Sequence, residues 1–164
     1  MAENVKNIQG ITVDDGSVKE SILNKFGDEI GVFYFRPTDI GIIDRYNKVA
    51  KDFEKIVEPL QNVDVNPDGT TDENNEAELE AMKKAEQLLF EACDYLFDGN
   101  MSEAFFGKMR PFSIVNGHFY AENALEAVGN YISKRFERET QRINSRVNRY
   151  THGYRTGKHK KSKR

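Results

Sequence analysis

The sequence predicts a mainly helical α+β domain with a small N-terminal antiparallel β-meander, a helical hairpin and a long C-terminal helix. Three observations support this fold class. Residues 8–36 contain short β-branched and aromatic runs separated by turn residues. Two stretches with apolar residues at steps of three and four follow, and a third begins at Phe119 and leads into a basic tail. With 164 residues, the chain is expected to form one domain over 1–150 and a disordered tail over 151–164.

The predicted strands occupy residues 8–36. Ile8–Val13 is followed by the turn signal Asp14-Asp15-Gly16, and Val18–Phe26 is followed by Gly27-Asp28. Ile30–Phe35 is the clearest strand because it is rich in β-branched and aromatic residues. A meander this small needs helices packed on one face. The aromatic side chains are therefore interpreted as core residues, and an exposed docking strand is the alternative.

The first two helices are predicted over residues 38–61 and 76–98. Pro37 ends the preceding strand, Thr38 is a candidate cap, and Asp39 suits the positive helix N-terminus. The first apolar stripe comprises Ile42, Ile43, Tyr46, Val49, Ala50, Phe53, Ile56, Val57 and Leu60. The second comprises Leu79, Met82, Ala85, Leu88, Leu89, Ala92, Cys93, Leu96 and Phe97. The polar residues 62–75 predict a mobile loop, so the two helices are expected to form an antiparallel hairpin.

A short helical turn is predicted over Ser102–Met109, and the long helix is predicted over 119–150. Residues 133–164 contain 12 lysines and arginines and only two acids, which gives a formal charge of about +10. The whole chain has a formal charge of −3, so residues 1–132 carry about −13. The sequence therefore predicts an acidic body joined to a basic arm, which is a pattern typical of proteins that bind a charged partner.

Five arginines of this arm recur at steps of 3, 4, 4 and 3, which places them on one helical face. They are the candidate partner-binding residues: Arg135, Arg138, Arg142, Arg146 and Arg149. Three interpretations remain open. The arm could be a solvated helix end with a disordered tail. It could bind the acidic surface of another protein or of a neighbouring copy. It could also bind nucleic acid, although the acidic body would repel a polyanion.

The sequence contains no recognisable catalytic, cofactor-binding or metal-binding motif, so the protein is not expected to be an enzyme. His118, His152 and His159 share no ligand spacing with Cys93 or with each other. Cys93 is the only cysteine, lies on an apolar stripe, and is expected to be a small core residue. No apolar run is long enough to span a membrane, and no signal peptide is evident. These features predict a cytoplasmic protein with no membrane partner.

Several segments resemble small proteins encoded in the tail gene clusters of siphophages and prophages, which are identified as tail assembly chaperones. The resembling segments are Phe26–Gly31, Phe33–Asp39 and Ile43–Tyr46. The order of an N-terminal hairpin, a helix opening with Pro-Thr-Asp, a polar loop and a long final helix with a basic end is also similar. The resemblance implies a non-catalytic protein of the bacterial cytoplasm that binds the tape-measure or tail-tube protein.

The sequence is therefore interpreted as that of a phage tail assembly chaperone. The first alternative is a structural or connector subunit of the virion, in which the same surfaces would be used permanently. The second is a nucleic-acid-binding accessory protein that uses the basic arm. Self-association is a further expectation, because the core is thin and part of the apolar surface is free to meet a second copy.

Overall fold

The computed structural model describes residues 8–60 and 76–159, and it confirms the predicted α+β class. The elements are β1 (Val18–Leu23), β2 (Glu29–Phe35), α1 (Gly41–Val57), a 3₁₀ turn (Glu58–Leu60), α2 (Glu76–Phe97), α3 (Met101–Phe106), β3 (Ile114–Val115), β4 (His118–Phe119) and α4 (Tyr120–His159). The predicted loop at 62–75 lies outside the described residues. None of the helices in the described part is long and apolar enough to cross a membrane.

The N-terminal sheet is an antiparallel hairpin of β1 and β2, in which Glu20 lies opposite Phe33. Alternate residues of β1 are partly buried, as expected for a strand with one face on a core. The predicted strand at Ile8–Val13 is wrong, because residues 8–17 form no strand. Local hydrogen bonds form at the predicted turn instead: Asp14 accepts one from the Gly16 amide and Asp15 accepts one from the Ser17 amide.

The core lies between the hairpin and the helices and is largely aromatic. Phe33 and Phe35 are buried, stack at 4.1 Å between ring centroids, and meet the edges of neighbouring rings. These neighbours are Phe97 for both residues and Phe105 for Phe33. The interpretation of the strand aromatics as core residues is confirmed for these two phenylalanines. The intervening Tyr34 points outward and is exposed, as the alternation of a strand requires.

The second edge of β2 is covered by a side chain. The carboxamide of Asn100 accepts a hydrogen bond from the Tyr34 amide at 2.8 Å and donates one to the Val32 carbonyl at 2.9 Å. A single side chain therefore satisfies backbone groups that would otherwise need another strand. Two glycines allow the backbones to approach here, because a Cβ on Gly31 or Gly99 would overlap the carbonyl oxygen of Ala104 or Tyr34.

Helices α1 and α2 form the predicted antiparallel hairpin, in which Arg45 near the start of α1 meets the end of α2. The Arg45 guanidinium donates to the Leu96 carbonyl at 2.9 Å and to the Asp39 carboxylate at 2.9 Å. Asp39 also accepts a hydrogen bond from the Gly41 amide, the first amide of α1, although the N-cap position itself is Ile40. The prediction that α1 begins at Thr38 and is capped by that residue is wrong. Asp39 reaches the first free amide, and the helix begins at Gly41.

The apolar stripe predicted for α1 divides into two parts. Ile42, Val49 and Ile56 face the core, whereas Ile43, Tyr46 and Phe53 are exposed. Helix α2 matches the prediction to within one residue. It ends at Phe97, and the next residue, Asp98, has a φ of +47°. The residue with a left-handed backbone conformation at the end of α2 is therefore Asp98, which comes one residue before the predicted helix-ending pair Gly99-Asn100.

The short hairpin of β3 and β4 was not predicted. Asn116 and Gly117 both have positive φ, at +53° and +80°, as a two-residue hairpin turn of the primed type requires. Helix α4 begins directly after it and continues to His159, past the predicted end at residue 150. No proline follows Pro111, so every residue of α4 keeps the backbone amide that the helix uses. The helix end predicted at residue 150 is therefore nine residues short, and 160–164 lie outside the described residues.

Candidate functional site

Helix α4 changes its environment along its length. In the first half, Ala121, Ala124 and Val128 are buried, and Tyr131 and Ile132 pack against the core. From 140 onward every described side chain, through residue 151, is exposed. We call residues 137–151 the arm. A helix that no longer packs on its own domain has its side chains available for another molecule, and this makes the arm the candidate site.

The structure separates the first of the five predicted arginines from the others. Arg135 is partly buried, and its guanidinium donates hydrogen bonds of 3.1 Å and 3.0 Å to the Tyr131 hydroxyl. That hydroxyl donates to the Glu20 carboxylate on β1 at 2.9 Å, and Arg135 itself lies 3.9 Å from the same carboxylate. Arg135 therefore attaches α4 to the hairpin. Its assignment as a partner-binding residue is not supported by this arrangement.

The electrostatics of this triad agree with a structural role. Partial burial raises the pKa of the Tyr131 hydroxyl. The hydrogen bond from Arg135 to that hydroxyl raises the pKa of the guanidinium further. Tyr131 is consequently a neutral donor and acceptor, and Arg135 a permanent cation, over the physiological range. The ring of Tyr131 also lies under the Arg135 guanidinium, at 5.5 Å, and against Phe35.

The other four arginines form one continuous exposed surface, which we call the arginine face. It consists of Arg138, Arg142, Arg146 and Arg149, with Gln141 and Ser145 between them. Arg142 makes an ion pair of 3.2 Å with Glu139, one turn away. Within the described residues, no acid pairs with Arg138, Arg146 or Arg149. The prediction of several guanidiniums on one helical face is therefore confirmed for these four.

Apolar residues lie beside the arginine face. Ile143, Val147 and Tyr150 are 53%, 48% and 77% exposed, and their steps of four and three place them on one side of the helix. At about 100° per residue, this apolar stripe is centred about a third of a turn from the arginines. The arm therefore presents both an apolar contact surface and a row of positive charge, a combination suited to an amphipathic partner with acidic side chains.

The base of the arm forms one wall of an open cleft. The opposite walls are residues 14–18 and 37–40, and the wall from α4 extends from Arg135 to Ile143. The cleft contains Asp14 and Asp15 on one side and Arg142 on the other. A hydrogen bond from the Ser17 hydroxyl to Asp15 lowers the pKa of that carboxyl, so Asp15 is ionised at neutral pH. The cleft thus combines these charged groups with apolar surface from Phe136 and Ile40.

Two buried groups elsewhere in the described part of the chain are Cys93 and Glu86. Cys93 is 3% exposed, and burial raises the pKa of its thiol to about 12, which confirms its predicted place in the core. The buried acid Glu86 is paired with Arg110 at 2.7 Å. Over residues 8–60 and 76–159, no three His, Cys, Asp or Glu side chains come together in a way that could hold a metal ion.

Sequence spacing alone could not separate Arg135 from the other four arginines. Its partner Glu20 is brought near only by the fold, and the spacing of Arg135 to Arg138 resembles that of the other pairs. The available signal is Tyr131, which precedes Arg135 by one turn and so lies on the same helical face.

No family model matches this chain, and neither a curated protein nor a solved structure matches it.

Proposed function

We propose that this protein is a non-catalytic phage tail assembly chaperone of the bacterial cytoplasm. It binds the tape-measure or tail-tube protein reversibly during tail assembly. The observation that supports this proposal best is the arm of α4, which places the arginine face beside the apolar stripe on an exposed helix. The similarity of Phe26–Gly31, Phe33–Asp39 and Ile43–Tyr46 to tail-cluster proteins suggests the partner.

The chemistry of the arm suits a chaperone that must release its client. Apolar side chains such as Ile143 and Val147 bind exposed hydrophobic segments without a defined geometry. The arginines add attraction to acidic segments, which speeds encounter and is weakened by salt. Because the surface is a single helix, the buried area remains modest, and modest interfaces favour reversible complexes.

The proposal is tested by co-expressing the full chain with the tape-measure gene of the same cluster and measuring the soluble fraction of the tape-measure protein. The test variant carries R138E, R142E, R146E and R149E, and retains Arg135 because it stabilises the body. The matched control carries K51E, K83E, K84E and K108E, which make the same charge change at exposed positions on other elements. We expect the wild type and the control to keep the tape-measure protein soluble, and the arginine variant to fail.

The proposal would be overturned if the tape-measure protein were equally soluble with the wild type, the arginine variant and the control. It would also be overturned if the tape-measure protein were equally soluble when expressed without any of these chains. Detection of the protein in purified virions would instead favour a structural or connector subunit. These outcomes separate temporary binding during assembly from a permanent place in the particle.

A nucleic-acid-binding accessory function is the second candidate, and the arginine face is the observation that favours it. If all four arginines neutralise phosphates of duplex DNA, affinity should fall about 100-fold between about 50 and 200 mM salt. A salt series with duplex and single-stranded probes measures this dependence. Absence of binding at the lower salt concentration would remove this candidate.

A further inference from the structure

The open edge of β1 is a second interaction surface, distinct from the arm. In the described part of the chain, β1 pairs only with β2, and no other backbone hydrogen bond reaches it. The opposite edge of the sheet is already covered by Asn100. A strand with one free row of amides and carbonyls readily accepts another extended segment.

The groove beside this edge is formed by the hairpin and α4 and is mainly apolar, although Glu20 and Ser21 also line it. Ile22 and Leu23 of β1 form one side, and Val128 and Tyr131 of α4 form the other. Phe33, Phe35 and Phe105 lie at its base. Side chains of an added strand that point inward would therefore enter a surface continuous with the core.

The chain contains a segment with the composition of the missing strand. Ile8–Val13 is uncharged, and its three large apolar residues, Ile8, Ile11 and Val13, are 80%, 100% and 78% exposed. Ile11 and Val13 are two residues apart, so in an extended strand they point to the same face. Local composition favours a strand here, whereas the structure leaves these side chains in solvent.

The turn that follows this segment bears on which molecule supplies it. Residues 14–17 lie next to the continuation of β2 at Pro37 and Thr38 and next to the base of the arm on α4, and Gly16 approaches Thr38. Only residues 14–17 separate the segment from β1, yet residues 8–13 do not pair with the β1 of their own chain. A second copy can supply the same segment while residues 14–17 keep these contacts.

We propose that two copies of the chain exchange their N-terminal segments, so that Ile8–Val13 of each adds antiparallel to β1 of the other. A register with Val13 opposite Val18 places Ile11 opposite Glu20 and Ile8 opposite Leu23. Ile11 and Val13 then face the groove, and Ile8 covers the exposed Leu23 on the outer face. Exchange of identical segments is reciprocal, so the assembly closes as a two-fold dimer.

Cysteine cross-linking tests the contact directly. In a C93A background, one chain carries T12C and a second chain, extended by a tag that changes its size, carries K19C. These positions lie opposite each other in the proposed register and are exposed. Mixing and oxidation should give a disulfide-linked pair of the two different sizes as the main product. A partner with K108C in place of K19C, also at an exposed position, is the control and should give little of this product.

A single chain carrying both T12C and K19C separates the two sources of the strand. An interchain disulfide supports exchange, whereas a disulfide within one chain would show that the segment folds onto its own β1 and would overturn the proposal. The wild-type mass from light scattering should be twice that of one chain. The double change I11D with V13D should reduce the measured mass to that of one chain. The change I114D, at an exposed residue elsewhere, should leave the mass at that of two chains.

A wild-type mass of one chain at all concentrations would also overturn the dimer, as would a dimer insensitive to I11D with V13D. The inference uses no residue of the arginine face. The R138E, R142E, R146E and R149E variant should therefore remain dimeric, and failure of the proposed function would leave this result unchanged.

Discussion

Arg135 donates two hydrogen bonds to the hydroxyl of Tyr131, one turn earlier on α4, and through it is connected to Glu20 of β1. This contact marks the place where α4 stops being part of the body and becomes the arm. Two turns later Arg142 occupies the same helical face, but its only ion pair within the described residues is with its neighbour Glu139. One row of arginines therefore contains a structural residue followed by four with exposed side chains.

Replacing Arg135 should destabilise the fold, whereas replacing Arg138 should not. The change R135A removes two hydrogen bonds from a partly buried group and should lower the free energy of unfolding by about 1 kcal/mol. The change R138A affects an exposed side chain and should alter the free energy of unfolding by no more than about 0.5 kcal/mol. Urea unfolding followed by circular dichroism measures both. Equal effects of the two changes would remove the distinction between the body and the arm.

Two glycines should respond to alanine with opposite signs. A Cβ on Gly31 would overlap the Ala104 carbonyl, so G31A must shift β2 or α3 and should cost about 2 kcal/mol. Gly129 lies in an exposed part of α4 where a Cβ would meet no other atom, and G129A should stabilise by up to about 1 kcal/mol. Thermal unfolding gives both values. A neutral G31A would contradict the close approach of β2 and α3.

The Cys93 thiol should be unreactive in the folded protein. It is buried, and its pKa is raised from 9.0 to about 12, so almost no thiolate exists at neutral pH. Labelling with a thiol reagent should be slow in buffer and complete in urea. As the pH rises, the thiol ionises first in the unfolded chain. The contribution of Cys93 to the free energy of unfolding should therefore be constant below pH 9.0 and should fall as the pH rises from there towards about 12. Rapid stoichiometric labelling of the native protein would contradict this burial.

The contribution of Asp39 to the free energy of unfolding should depend on pH. Hydrogen bonds from Arg45 and from the Gly41 amide lower the pKa of its carboxyl below 3.8. The contribution is therefore complete above pH 3.8 and is lost as the pH falls through the folded-state pKa. D39N should cost about 2 kcal/mol at neutral pH, and the difference from the wild type should shrink in acid. D44N, at an exposed position in the first turn of the following helix α1, is the control; an equal loss of stability in D44N would show that any lost negative charge here has the same effect.

Local patterns predicted most of the fold. The alternation of Phe33, Tyr34 and Phe35 distinguishes core from surface because a strand has a period of two. The limits of α2 follow from its apolar stripe, since the helix packs along most of its length. The Asn116-Gly117 pair is a standard hairpin signal and could have revealed β3 and β4, but the flanking strands are too short to show alternation.

The features that were not predicted depend on residues distant in sequence. Ile8–Val13 has the composition of a strand, but composition does not provide a neighbouring strand to pair with. Arg135 differs from Arg138 because Tyr131 lies one turn before it and because the fold brings Glu20 close to both of them. The split of the α1 stripe has a similar origin: Ile43 and Ile42 are equally apolar, and only the position of the packed neighbours decides which one is covered.

The most direct test of the central claim is a nuclease-treated pull-down from cells that express the surrounding phage genes, read by mass spectrometry. Wild type is compared with the R138E, R142E, R146E and R149E variant and with the K51E, K83E, K84E and K108E control. We predict that wild type and control recover the tape-measure or tail-tube protein and that the arginine variant does not. Equal recovery by all three chains, or recovery of nothing except nucleic acid before nuclease treatment, would contradict the assignment of the arm as the chaperone surface.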